Sequence, residues 1–204
     1  KGAFPNFKKK SNTQSFQYPQ GVKLKDNKVF FLIFGWTHFY KSRECFGKIK
    51  TVTVSKTPTN TYFVSILCET TLEKPAKRPI EEKTSLGIDI GIKTFAVCSD
   101  GQVFENQKYL NKNLKRLRIE QRRLARRYKK GVKILEQSKG YHRQRIRVAK
   151  LHEKISDQRK DFLHKVSTKL VSQYDSIIVE DLNVKGMMKN DKLSKAISDV
   201  SWTK

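Results

Sequence analysis

The sequence predicts a mixed α/β protein in which a β-rich segment precedes a larger α/β domain. Short runs of strand-like composition fill residues 1–71, and a stretch rich in proline and charge follows at 72–84. Residues 85–204 then alternate in the order β-β-β-α-α-β, which is typical of one sheet layered against helices. We therefore expect a β-rich domain, a linker and an α/β domain over these three ranges.

The β-rich segment contains two clear strand patterns. Residues 48–55 alternate polar and apolar side chains, and residues 62–69 are rich in β-branched and aromatic residues. The segment between them contains a proline and an asparagine, which favours a hairpin connection. Residues 15–24 and 29–34 are further short strands by composition. Together they predict a small barrel or an open sheet.

The α/β domain begins with a predicted antiparallel meander. Residues 86–92, 94–98 and 102–105 have strand composition, and Asp100-Gly101 is a strong hairpin-turn signal between the last two. After the helices, the apolar run at 176–179 predicts a buried strand that joins the same sheet.

Two long helices are predicted between the meander and the last strand. Leucines and a tyrosine at 110, 114, 117, 124 and 128 form a helical seam in which Gln121 supplies a polar layer, and Gly131 ends the helix. A second helix over 141–173 should pack antiparallel to the first. Its apolar stripe consists of Val148, Leu151, Ile155, Phe162, Val166 and Leu170.

The charge is strongly positive and unevenly distributed. The net charge is +25, with +9 in residues 1–50, +16 in residues 111–170, and zero in residues 51–110 and 171–204. Such an imbalance predicts a polyanionic partner, for which nucleic acid is the first candidate and a membrane surface or heparin-like polymer the alternative. No signal peptide and no membrane-spanning apolar run is present, so a reducing interior is expected.

Asp89 is the first candidate for chemistry. In the strand L-G-I-D-I-G-I, the apolar side chains face one way, and Asp89 with Gly87 and Gly91 faces the other. A mid-strand Asp is disfavoured, and the flanking glycines remove bulk so that a phosphate or a metal ion can approach the carboxylate. The alternative is an edge-strand Asp that simply faces water.

Glu180 is the second candidate, at the exit of the apolar strand in S-I-I-V-E-D-L-N. Ligands of open α/β sheets gather at the carboxyl ends of strands, although a lone acid there can be a solvated cap. Carboxylates on adjacent strands are suited to Mg²⁺ or Mn²⁺, and metal-assisted hydrolysis of a phosphodiester would follow. Asp181 should point to the opposite side.

The basic helices predict contacts with a phosphate backbone. Like charges at this density destabilise a helix unless a polyanion compensates them, so a merely solvated face is the less favoured interpretation. Arg159 belongs to the same pattern, and Trp36, Phe39 and Tyr40 could stack on bases or pack in a core. The predicted nucleic-acid-binding residues are Arg116, Arg122, Arg123, Arg126, Arg127, Lys129, Lys130, Arg143, Arg145, Arg147 and Lys150.

Two motifs resemble those of a known family. G-I-D-I-G-I-K at 87–93 resembles the first catalytic motif of the RuvC-like nuclease domain in the TnpB/OrfB transposon-encoded proteins, and I-V-E-D-L-N-V-K-G-M at 178–187 is similar to the second. F-P-N-F-K-K-K at 4–10, G-K-I-K-T-V-T-V-S at 47–55 and A-I-S-D-V-S-W at 196–202 also resemble segments of that family.

The resemblance implies a ribonuclease H-like (RuvC-like) domain with an inserted helical hairpin, preceded by a wedge-like β-barrel. It implies RNA-guided cleavage of DNA, with guide RNA and target DNA as partners, in the prokaryotic cytoplasm at the nucleoid. Asp89 and Glu180 match the family's metal-binding catalytic acids, with Mg²⁺ or Mn²⁺ as cofactor. The family's third catalytic Asp and its four-cysteine zinc ribbon would lie beyond residue 204, so the nuclease part is expected to be C-terminally incomplete here.

Two other functions remain open at this stage. One is a non-catalytic nucleic-acid-binding remnant of such a nuclease. The other is an actin-like or sugar-kinase ATPase, since D-I-G-I-K-T also resembles the phosphate loop D-x-G-x-T. The absence of a second glycine-rich loop and the charge of +25 argue against the ATPase.

Overall fold

A computed structural model describes residues 14–70 and 79–202, and the chain divides into two compact units between positions 75 and 76. The mixed α/β class predicted from the sequence is confirmed. Part of the predicted linker at 72–84 lies outside the described residues. Its last three residues, Glu82–Thr84, form a single 3₁₀ turn that leads into the second unit.

The first unit contains two three-stranded antiparallel sheets. One sheet has the order β1-β5-β6, and the other has the order β2-β3-β4. Val29, Phe31 and Val52 form the buried core of this unit. The strands are β1 (Gln14–Tyr18), β2 (Lys23–Lys25), β3 (Lys28–Phe31), β4 (Gly35–His38), β5 (Lys48–Lys56) and β6 (Tyr62–Glu69).

The strand pair β5 and β6 forms the predicted hairpin, but the earlier part of the unit differs from expectation. The single strand predicted at 15–24 is wrong, because Pro19 lacks an N–H donor and Gly21 adopts φ +75°, so the chain turns between β1 and β2. The strand predicted at 29–34 ends at Phe31, and a tight turn over 32–34 leads into β4.

The second unit is built on one four-stranded sheet. Its strands are β7 (Ser85–Ile90), β8 (Thr94–Cys98), β9 (Val103–Glu105) and β10 (Ser176–Val179), in the order β10-β7-β8-β9. The pairs β7-β8 and β8-β9 are antiparallel, which confirms the meander, and β10 lies parallel to β7. The last strand therefore returns to the sheet beside the first, as predicted.

Four helices accompany this sheet: α1 (Tyr109–Arg127), α2 (Lys139–Gln173), α3 (Val184–Met187) and α4 (Ser194–Val200). With 35 residues, α2 is about 52 Å long. The first half of α2 packs on α1 through Leu117, Val148 and Leu151, and its second half packs on the sheet through Val166 and Leu170. The two long helices predicted from the sequence are present and pack on each other. Among the described residues, no helix is both long and apolar enough to cross a membrane.

Two details of the predicted packing are wrong. Gln121 is exposed, and the polar layer of the hairpin is supplied instead by Gln144, which is fully buried and bonds to Glu120. The strand β10 is not buried, since Ile178 is 61% and Val179 is 51% exposed. Because β10 is the edge strand of the described sheet, it has a neighbour on one side only.

Asp199 of α4 fixes the start of α1. The helix begins after Lys108, which offers no side-chain cap, and the N–H groups of Leu110 and Asn111 donate to the Asp199 carboxylate at 2.9 and 3.2 Å. Arg159 of α2 donates to the same carboxylate at 2.8 Å. A single acidic side chain thus holds three helices together.

Candidate metal and nucleic-acid site

Asp89 lies on the open face of the sheet. Along β7, Leu86, Ile88 and Ile90 face the helices and take part in the core, while Asp89 between them is exposed on the opposite face. Its partner across the β7-β8 pair is Val97, which is 42% exposed. The alternation predicted from the sequence is correct, and this face leaves the carboxylate accessible to a ligand.

Glu180 directly follows the last residue of β10, the strand that pairs with β7. The parallel pairs end with Ile178 opposite Gly87 and Val179 opposite Ile88, so the next step aligns Glu180 with Asp89. Neighbouring strands are about 4.8 Å apart, and side chains at aligned positions of parallel strands point to the same face. The pairing thus ends one residue before each of the two candidate acids, near the carboxyl ends of adjacent strands.

The two carboxylates suit a hard divalent cation. Neither Asp89 nor Glu180 forms a hydrogen bond or ion pair with another described residue, so their oxygens are available. Mg²⁺ takes one or two carboxylates and fills the other positions with water and substrate phosphate. In residues 14–70 and 79–202, no group of three or more His, Cys, Asp or Glu side chains is arranged to hold a metal.

The two glycines beside Asp89 serve different purposes. A Cβ on Gly91 would lie 2.7 Å from the backbone oxygen of Thr94, so Gly91 is required by the tight β7-β8 connection rather than by a ligand. A Cβ on Gly87 would meet only the Ser99 side chain, at 3.7 Å, which is ordinary contact. The open space expected beside both glycines is therefore found at neither, since even at Gly87 the Ser99 side chain lies within contact distance.

We expect Gly91→Ala to lower the stability of the fold and Gly87→Ala to leave it nearly unchanged. Gly91→Ala forces a backbone shift and should lower the free energy of unfolding by about 1–3 kcal/mol. Gly87→Ala should change it by less than about 0.5 kcal/mol. Urea denaturation followed by circular dichroism measures both, and equal stabilities of the two variants would contradict the assignment of Gly91.

The predicted phosphate-binding cations are almost all exposed. Arg145 is half-buried, whereas the other ten predicted residues, including Lys129 and Lys130 in the loop after α1, are accessible. The phosphate-binding role predicted for Arg159 is wrong. Its side chain is only 14% exposed and pairs with Asp199, whose side chain is 8% exposed. Arg159 therefore stabilises the helix packing and is not available to a phosphate.

A polar network ties the two basic helices together. The Gln144 amide group donates to the backbone oxygen and the carboxylate of Glu120, and Arg127 donates to the Gln144 carbonyl at 3.0 Å. The Gln144 bond, followed by the nearby charges of Arg123 and Arg147, holds the pKa of the Glu120 carboxyl below its usual value. These contacts fix the orientation of α1 against α2.

The three aromatic residues considered for base stacking in the first unit differ in their exposure. Phe39 packs against the core, which favours the packing interpretation for that residue. Trp36 is about half exposed and contacts the Phe30 ring at a centroid distance of 5.4 Å, while Tyr40 is almost fully exposed.

Sequence reasoning missed the roles of Asp199, Gln144 and Gln137. Gln137 is buried and closes the loop between the helices by bonding to the backbone of Lys129 and Val132. All three side chains bond to partners at least five positions away, where no local pattern is visible. The only signal is the poor cap at Lys108, which leaves the first N–H groups of α1 in need of an acceptor.

Comparison with known proteins agrees with the motifs. Residues 65–191 match the family described as "OrfB_IS605: Probable transposase". The chain belongs to the OrfB_IS605 family. The matched region includes both Asp89 and Glu180, together with the whole helical hairpin.

Two relatives of this family member support the assignment. The chain is 35% identical over 192 residues to the "Putative RNA-guided DNA endonuclease InsQ" of Escherichia coli K12, which covers 93% of this chain and 45% of the relative. It is 39% identical over 153 residues to a "Putative RNA-guided DNA endonuclease" of Streptomyces pristinaespiralis, covering 75% of this chain and 35% of the relative. The chain thus spans less than half the length of either relative.

Proposed function

We propose that this chain is part of a transposon-associated, RNA-guided DNA endonuclease that hydrolyses phosphodiesters with Mg²⁺ or Mn²⁺. The observation that supports the proposal is the parallel pairing of β7 and β10, which ends with Val179 opposite Ile88, one residue before Glu180 and Asp89. The names of the two bacterial relatives support the same activity. Guide RNA and target DNA are the proposed partners, in the prokaryotic cytoplasm at the nucleoid.

The second unit is proposed to be a ribonuclease H-like domain, with residues 1–71 as a wedge-like domain and 72–84 as the linker. Its support is the order of elements: three antiparallel strands, a helical hairpin, and a fourth strand that returns parallel to the first. Ligands in such sheets gather where the carboxyl ends of adjacent parallel strands meet, which is the edge that carries Asp89 and Glu180.

The mechanism assigns separate tasks to the acidic and the basic residues. Asp89 and Glu180 would hold the divalent cation, which supplies polarisation of the phosphate and activation of water when bound. Gly87 carries no side chain that would hinder a phosphate approaching the carboxylates. The cations of α1 and α2 hold the rest of the backbone, while base pairing with the guide reads the sequence.

Binding of Mn²⁺ tests the acidic site without relying on activity. We expect Glu180→Gln to weaken Mn²⁺ binding by about 10-fold or more in calorimetric titrations, because one of two protein ligands is lost. Asp181→Asn is the matched control, because the side chain is adjacent and exposed and an extended chain would direct it to the opposite side. Equal losses in both variants would contradict the site.

Measurements of ATP binding, nucleic-acid binding and cleavage separate the alternative functions. ATP binding that depends on Asp89, in the absence of any binding to DNA or RNA, would favour an ATPase. Binding to nucleic acid without metal-dependent cleavage by the protein of which this chain is proposed to be part would favour a non-catalytic binding protein.

A further inference from the structure

Two of the three cysteines lie in the first unit, at one end of the β5-β6 pair. Cys68 is near the end of β6, where it continues the row of alternate side chains that are half-buried. Cys45 lies in the loop over residues 39–47, which joins β4 to β5. Both thiols are free and half-buried, whereas Cys98 is buried in the core of the second unit. The two cysteines of the first unit are therefore partly accessible to solvent, and Cys98 is shielded from it.

The loop that carries Cys45 folds back onto β6 beside Cys68. Gly47 adopts φ +98°, so the chain changes direction immediately before β5 begins. A Cβ on Gly47 would overlap the backbone oxygen of Glu69, so the two backbone segments are in direct contact. In the register of the two strands, Ile49 pairs with Cys68. The fold thus holds together the residues that flank the two cysteines.

The side chains of Cys45 and Cys68 also meet. Both line one cavity of the first unit, together with Phe39 and Phe46 of the same loop. Burial, followed by the charge of the Cys68 thiolate and a hydrogen bond with the Cys68 side chain, raises the pKa of the Cys45 thiol. Cysteine side chains are short, so this contact places the two backbones near the separation of about 4.4–6.8 Å between Cα atoms that a disulfide requires.

We propose that Cys45 and Cys68 form a reversible disulfide when the protein meets a small-molecule disulfide such as oxidised glutathione. One cysteine, as the thiolate, attacks a sulfur atom of the oxidant and releases one thiol, which leaves a mixed disulfide on the protein. The other cysteine then attacks the cysteine sulfur of that mixed disulfide and releases the second thiol. The two protein thiols lose two protons and two electrons, and the oxidant is reduced to two thiols.

The disulfide would fasten the loop over residues 39–47 to β6. In the reduced chain, the loop contains no strand or helix, and its contacts include Phe39 in the core and an ion pair between Lys41 and Glu44. A covalent bond at Cys45 would add a fixed point near the other end of the loop. In a reducing environment the dithiol is the resting form, so the disulfide would record oxidation. This inference goes beyond the proposed function and does not rest on it.

Oxidation of the unaltered, folded chain by oxidised glutathione, followed by peptide mapping without reductant, tests this inference. The expected product joins the peptide that contains Cys45 to the peptide that contains Cys68, while Cys98 stays free and is alkylated after unfolding. This product should exceed the two possible disulfides to Cys98 by about 10-fold or more, because a buried thiol is inert. Excess reduced glutathione should restore both thiols.

The same oxidation in urea is the control for the role of the fold. In the unfolded chain the three pairings differ mainly in loop length, and the probability of closure falls slowly with that length, so their yields should lie within about fivefold of one another. Two matched variants complete the control. Cys68→Ser should leave Cys45 as the mixed disulfide with glutathione, whereas Cys98→Ser should form the cross-link in unchanged yield.

Trypsin measures the effect of the disulfide on the loop. Cleavage after Lys41 and Arg43, followed by mass spectrometry, should slow by about fivefold or more in the cross-linked chain, because cleavage requires local opening of the loop. The Cys68→Ser variant exposed to the same oxidant should be cut at the rate of the reduced chain.

The possible outcomes differ from those that test the proposed function. Mixed disulfides at Cys45 and Cys68 without a cross-link, or equal yields of all three pairings in the folded chain, would overturn the inference. Unchanged tryptic cleavage of the cross-linked chain would contradict the fastening of the loop. None of these results involves Asp89 or Glu180, so the proposed endonuclease would stand, and a failure of metal-dependent cleavage would leave the disulfide standing.

Discussion

Replacing Asp89 with Asn should reduce metal-dependent DNA cleavage by about 10³-fold or more. Asn keeps the size of the side chain but removes the charge that holds the cation, and a bound cation is worth several kcal/mol of transition-state stabilisation. The fold should survive, because Asp89 is exposed and bonds to no other described residue. The measurement is the rate of plasmid cleavage in Mg²⁺ or Mn²⁺ by the protein of which this chain is proposed to be part, supplied with its proposed guide RNA.

Two controls make this result specific. Asp181→Asn removes a neighbouring exposed carboxylate and should cleave at the rate of the unaltered chain. The affinity of Asp89→Asn for duplex DNA should also remain within about threefold, because the proposed backbone contacts lie on the helical hairpin. Cleavage at an unchanged rate by Asp89→Asn would show that the catalytic assignment is wrong.

The Asp199→Ala variant should be strongly destabilised, by about 3–5 kcal/mol. It leaves the nearly buried Arg159 without its partner and removes the acceptor of two N–H groups at the start of α1. A loss of this size is comparable to the whole stability of many domains, so partial unfolding at 25 °C is expected. Urea denaturation monitored by circular dichroism gives the free energy of unfolding.

A control substitution at another acidic residue and a double-mutant cycle identify the cause of the destabilisation. Asp191→Ala removes an exposed carboxylate from the segment before α4 and should change stability by less than about 0.5 kcal/mol. The cycle with Arg159→Met should give a coupling energy of about 1–3 kcal/mol, since the two side chains bond directly. Additive effects of the two substitutions would contradict the role assigned to the ion pair.

Local patterns predicted the elements of the second unit well. The strand β8 and the strand β10 occur at the predicted residues, and the turn at Asp100-Gly101 joins β8 to β9. Periodicity also identified α1 and α2 and most of the stripe that α2 buries. These features depend on neighbours within a few positions, where the sequence carries the information directly.

The predictions that failed depend on contacts between segments that are distant in the sequence. The hairpin buries Gln144, which bonds to Glu120 on the other helix, and exposes Gln121. The role of Gly91 follows from the Thr94 carbonyl, which approaches only once the β7-β8 connection has formed. Neither contact could be inferred from the spacing of apolar residues.

The sequence by itself determined that the chain is strongly basic, that its elements alternate between strands and helices, and that Asp89 and Glu180 are the acids worth testing. Only the tertiary structure decided that the strands leading into these two acids are neighbours, because positions 91 residues apart in the sequence can be aligned only by the parallel pairing of β7 and β10. It also separated cations such as Arg147, which are exposed, from Arg159, which is paired within the fold. The physical reason is that charge is a property of the sequence, whereas exposure and register depend on packing.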